Sequence, residues 1–166
     1  MTKTVFSTAV WFTVFSVLLK MIIFFSGQQF TDFDLYLGLG YVFLLMTAIF
    51  ITIRNHKLKV GGTSAFVDDF KAGMKVTALY AILMSAFIYS YYTFIDPDYF
   101  TIMLQQKVAE AEAAGNTNIE EVQKAGEFVL SPYFQSTVSL VIFLIIGGFY
   151  SALITFFVRK MKGFGH

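Results

Sequence analysis

The chain has 166 residues, of which 57% are hydrophobic and only 14% are charged, with a mean hydropathy of +0.67 and a net charge of +1. A soluble domain carries about 25% charge, so this composition excludes an ordinary soluble globular fold and points to lipid as the solvent. The 21 Phe and 9 Tyr agree, and the absence of Cys rules out disulfides, thiolate metal centres and a Cys nucleophile.

A helix needs roughly 20 mostly apolar residues to cross about 30 Å of hydrocarbon. The first such stretch, Val5 to Phe25, is longer than the roughly 7 to 15 residues of a signal-peptide core, so it is read as a retained span. Within it, Lys20 in "FSVLLKMIIFF" is the only ionisable residue well inside a predicted span. A Lys at the bilayer centre costs about 2.5 to 3.5 kcal/mol. Near the outer end its stem can snorkel toward Asp32, Asp34 or Asp96, or its ammonium can hold an anionic ligand or a lipid phosphate.

Leu35 to Ile53 forms a second span, followed by "RNHKLKVGGTSAFVDDFKAG". Gly61 and Gly62 mark a turn, Thr63 or Ser64 caps the next helix, and Asp68 pairs with Lys71 three residues on. The double Gly follows no strand and lacks G-K-[ST], so it is no phosphate loop. Lys57 and Lys59 beside His56 are topology anchors rather than a nucleic-acid site.

The third span, Ala72 to Ile95, carries small residues four apart at Ala81 and Ser85, a spacing that lets helices approach closely. It ends in "YSYYTFIDPDYF", an aromatic belt at the water interface. Proline disfavours helical geometry in the residue before it. Asp96 therefore suits an N-cap, Pro97 the first helical position and Asp98 the first turn. The competing reading makes Asp96 and Asp98 a cation or ammonium site, although no metal-loop spacing supports it.

Residues 97–130 read as a helical hairpin outside the membrane. Phe100, Leu104, Val108 and Ala111 share one face, as do Ile119, Val122, Gly126 and Val129. Gly115 and Asn116 end the first helix, and Thr117 with Glu120 forms a capping box for the second. Its Glu surplus argues against binding anionic lipid, and its length exceeds what joins two antiparallel spans, so it is the leading functional element. Ser131 and Pro132 open the last span, Phe134 to Val158, in which Gly147 with Ser151 and Gly148 with Ala152 repeat the small-residue spacing.

Lys3, Arg54, Lys57, Lys59, Lys71, Lys75, Arg159, Lys160 and Lys162 flank one set of span ends, against Lys107 and Lys124 at the other. The positive-inside rule then puts both termini in the cytoplasm. The expected fold is all-α, an integral membrane four-helix bundle with an extramembrane helical hairpin between spans three and four. No H-E-x-x-H or G-x-S-x-G occurs, and His56 and His166 are the only histidines, so no enzyme activity, cofactor or metal is expected.

A Gly followed by "TSAFVDDFKAGMKV", then "YSYYTFIDPDYF", the acidic hairpin and "SPYFQSTVSLVIFLIIGGFYSALITFFVRK" together resemble a four-span membrane protein family widespread in the Bacteroidota and described only as a domain of unknown function. The resemblance covers nearly the whole chain. It implies the bacterial inner membrane, and the occurrence of family members near genes for polyprenol-linked sugar transferases implies such an enzyme as a partner. The expected function is a non-enzymatic accessory or scaffold subunit binding a larger membrane protein, with no nucleic-acid partner. The alternative is a small transporter or channel acting as a homo-oligomer, with Lys20 and the Asp96 region lining its route.

Overall fold

The structure, a computed structural model, describes residues 3–115 and 118–160; the Thr117 capping box and Lys162 lie outside them, as do the side chains of Lys3, Asp32 and Asp34. Every element is helical: α1 Lys3–Phe25, α2 Asp32–Lys59, α3 Phe66–Ser90, α4 Tyr99–Ala113, α5 Ile119–Val129 and α6 Pro132–Lys160, with a π-helical turn at Tyr91–Ile95 continuing α3. Among the described residues, four helices are long and apolar enough to span a membrane: Thr4–Phe25, Tyr36–Lys59, Phe66–Ile95 and Pro132–Lys160. Only 22 to 33% of the residues in their apolar windows are buried. Side chains such as Trp11, Ile22, Phe43, Ile145 and Phe149 point outward, as helices solvated by lipid require.

The chain divides into two compact units, Met1–Leu83 with Val141–His166, and Met84–Leu140. The first is a four-helix bundle. Its α1 packs along α2, and its core holds Leu45, Ile49 and Ile53 of α2 with Val76 and Tyr80 of α3. The α3–α6 contact depends on small residues. A Cβ on Gly147 would collide with Thr77, and one on Gly73 would stand 2.7 Å from Ser151 Oγ and 3.2 Å from Ile53 Cδ1. Gly148 is looser, its nearest neighbour being Met74 Sδ at 3.7 Å. The double glycine after α2 adopts φ of 69° and 83°, a left-handed path that a side chain resists, and Gly62 N–H returns to Lys57 O at 2.9 Å.

In the second unit, Ser85 Oγ donates to Ser136 O at 2.8 Å, and α4 and α5 lie side by side, with Leu104 filling the place a Cβ on Gly126 would take. Ser131 Oγ accepts Phe134 N–H at 3.3 Å and Pro132 begins α6, as the sequence predicts. The start of α4 differs. Asp96 ends the π-helical turn, its N–H bonding Tyr91 O, and Asp98 occupies the N-cap without a side-chain bond. Asp96 thus stands at the junction of the two elements: its N–H closes the wide turn ahead of Pro97, and its carbonyl accepts Tyr99 N–H at 3.3 Å as α4 opens. The aromatic belt also splits, for Tyr89 and Phe94 are exposed whereas Tyr91 is buried.

Substituting Gly147 by Val should lower stability by about 1 to 3 kcal/mol through overpacking against Thr77. Gly148→Ala should be neutral or stabilising by up to about 1 kcal/mol, since it meets only ordinary contact and favours the helix. Thermal unfolding of the detergent-solubilised protein separates the two, and an unchanged Gly147→Val melting point would contradict this helix contact.

Candidate functional site

Three helix ends meet in the first unit, the C-termini of α2 and α6 and the N-terminus of α3. Their partial charges favour cations on the first two and an anion on the third, which is how the sequence is written. Asp69, fully buried, lies in the first turn of α3. Its Oδ2 is 3.5 Å from Lys57 Nζ and 3.4 Å from Arg159 Nη1, and its Oδ1 accepts Ser64 Oγ at 2.7 Å, with His56 Nε2 at 4.0 Å. Arg159 also donates to the Ser64 carbonyl. A buried carboxylate with these partners is held in one geometry, and removing it would strand the Lys57 ammonium, which is only 3% exposed. Lys57 is thus a buried ion-pair member, more than the surface topology anchor that its place in the sequence suggests.

A second polar contact lies farther along the bundle. Ser16 Oγ and Tyr80 OH are 2.7 Å apart, and Tyr80 OH donates to Tyr41 O at 3.4 Å. The Tyr80 ring meets Phe143 edge-on at 5.4 Å. Thr13, Ser16 and Lys20 share the buried face of α1, and Lys20 is 4% exposed, so its stem does not run along the lipid face.

In the second unit, Asp96 is buried and accepts Tyr91 OH at 3.2 Å, while Asp98 is exposed. The two carboxylates thus differ in exposure; among the described residues no group of three or more His, Cys, Asp or Glu is placed to hold a metal ion. Tyr92 packs against Phe100 at 4.4 Å and Tyr99 at 4.9 Å, an aromatic corner leading into α4. Beyond it, a groove of ≈ 680 Å³ opens between α4 and α5, floored by Phe100, Leu104, Val108 and Leu130 and edged by Glu112 and Glu127. Of the sequence-predicted packing positions, Gly147, Gly148 and Ser151 meet α3, Ala81 is fully buried, Ser85 bonds α6, and Ala152 is half-buried.

Four apolar spans joined by buried polar contacts define a multi-pass helical membrane protein. The family described as "Protein of unknown function (DUF4199)" is matched over residues 7–160, and the chain belongs to it. No curated protein and no solved structure matches the chain.

Asp69→Asn should destabilise the protein by about 3 kcal/mol, the cost of leaving a buried cation without its partner. Lys124→Ala, which breaks the exposed Glu120–Lys124 pair at 2.7 Å, should change stability by less than about 0.5 kcal/mol. Denaturation in detergent compares them; equal effects would mean that the Asp69 cluster is solvated.

Proposed function

We propose that this protein is a non-enzymatic accessory or scaffold subunit of the bacterial inner membrane, with both termini cytoplasmic, that holds a larger membrane protein through the α4–α5 hairpin outside the membrane. The groove between these helices supports the reading most directly. It offers an apolar floor under two carboxylates, and α5 contributes no buried residue of its own. An apolar strip left open on a short helix in water is costly unless something covers it. Glu110, Glu112, Glu120, Glu121 and Glu127 outnumber Lys107 and Lys124 on the pair, so a segment with apolar anchors and basic flanks fits best. A polyprenol-linked glycosyltransferase is the partner that the family resemblance suggests.

The distribution of charge supports the orientation. Arg54, Lys57, Lys59, Lys71, Lys75, Arg159 and Lys160 cluster at one set of helix ends, the side the positive-inside rule assigns to the cytoplasm. The second reading, a transporter working as a homo-oligomer, draws on the buried polar face of α1 with Lys20.

The chain lacks Cys, so single cysteines report sidedness cleanly. Ala114→Cys should react with an impermeant maleimide in intact cells stripped of their outer membrane, and Val60→Cys only after lysis; the reverse pattern would invert the topology. Purification from native membranes should yield a stoichiometric membrane protein that is lost at least tenfold on Glu112→Lys with Glu127→Lys. A clean homo-oligomer that moves solute in proteoliposomes and stops on Lys20→Gln would establish the transport reading instead.

A further inference from the structure

A second concave site lies in the first unit, at the border where the uncharged lengths of α1, α2 and α3 give way to charge. No charged residue occurs from Val76 of α3 to Ile95 at the end of the π-helical turn, and Lys75 stands just before that run; the first charge after the apolar length of α2 is Arg54. Since about 20 residues span the hydrocarbon, Lys75, His56 and Thr4 belong at the level of the lipid phosphates. There a cleft of ≈ 200 Å³ is lined by Thr52, His56 and Lys59 of α2, Thr4 of α1 and Asp68 and Lys75 of α3.

Its chemistry is unbalanced in one direction. Two Lys stand against one Asp, a cationic excess for a ligand to match. Lys59 Nζ already reaches Thr4 Oγ1 at 3.0 Å, so one ammonium is held across the cleft and the lysine stem need not search for its place. Thr52 is 3% exposed, and its Oγ1 is buried without a hydrogen-bond partner. An unbonded hydroxyl at the wall of a cationic cleft is a cost that a ligand oxygen removes.

We propose that this cleft binds an anionic phosphate group, seated between Lys59 and Lys75 with the Thr52 hydroxyl completing its hydrogen bonds. Two sources share this chemistry, the phosphodiester of a membrane phospholipid and a free phosphate ester. The volume holds the phosphate and a few neighbouring atoms, so acyl chains of a lipid would remain outside. The site is separate from the α4–α5 groove, and its test does not depend on the accessory reading.

The test titrates full-length protein in phosphatidylcholine nanodiscs containing increasing phosphatidylglycerol, and separately with inorganic phosphate, reading the melting temperature and the bound lipid by native mass spectrometry. The expected result is saturable binding that weakens about tenfold for Lys59→Gln with Lys75→Gln and weakens for Thr52→Val, while Thr52→Ser retains it. Lys71→Gln, a charge removed outside the cleft, should bind as the unaltered protein does. Retention of phosphatidylglycerol against millimolar phosphate identifies the lipid source, and displacement by phosphate identifies the free one. Equal binding by the unaltered protein and the double Lys variant, or an equal loss in Lys71→Gln, would overturn the site. Melting temperatures in phosphatidylcholine alone show that each variant is folded, and Thr52→Ser, which keeps the hydroxyl, remains decisive where the double variant unfolds.

Discussion

Hydrocarbon offers no partner to a backbone N–H or C=O, so each crossing segment must satisfy its own as a helix. The same solvent removes the usual reason for helices to associate, because lipid tails are as apolar as Leu. What remains is close fit. Gly147 against Thr77 and Gly73 against Ser151 bring α3 and α6 near enough for dispersion contacts along their backbones. Size is the property used there: Ser151 and Thr77 are fully buried, and neither hydroxyl has a hydrogen-bond partner.

The polar contacts described between the helices of the bundle are placed at defined depths. Asp69 ties α2, α3 and α6 where three helix ends converge, so dipoles and charges reinforce one another. Ser16, Tyr80 and Tyr41 tie α1, α3 and α2 farther along. A close glycine contact fixes distance but permits rotation and sliding, whereas a buried hydrogen bond has one register. Together they select one arrangement from those that apolar helices could adopt.

The spans were legible because length and hydropathy decide them with no tertiary information. The pairing of Asp69 was not, since its partners lie at Lys57 and 90 positions away at Arg159; Asp68 with Lys71 was the only pair that local spacing suggested. A signal was nevertheless present. Continuing the four-residue spacing back from Ala81 passes through Thr77 and Gly73 to Asp69, so the small-residue stripe already placed that carboxylate on the packing face. The π-helical turn before Asp96 was not legible either: capping preferences describe α-helix ends and carry no signal for a widened turn at Tyr91–Ile95.

That turn also explains why aromatic residues crowd this stretch. Widening the helix at Tyr91–Ile95 swings successive side chains out of the regular progression, and the Asp96 N–H must bond back to Tyr91 O for the chain to turn at Pro97. A proline contributes no donor, so the corner needs other contacts to hold it. Tyr91 supplies one through its hydroxyl on Asp96, and the Tyr92, Tyr99 and Phe100 rings supply the rest by packing at 4.4 to 5.3 Å. Phe100 is also part of the groove floor. The corner and the groove therefore share a side chain, and whatever fixes the first sets the position of the second.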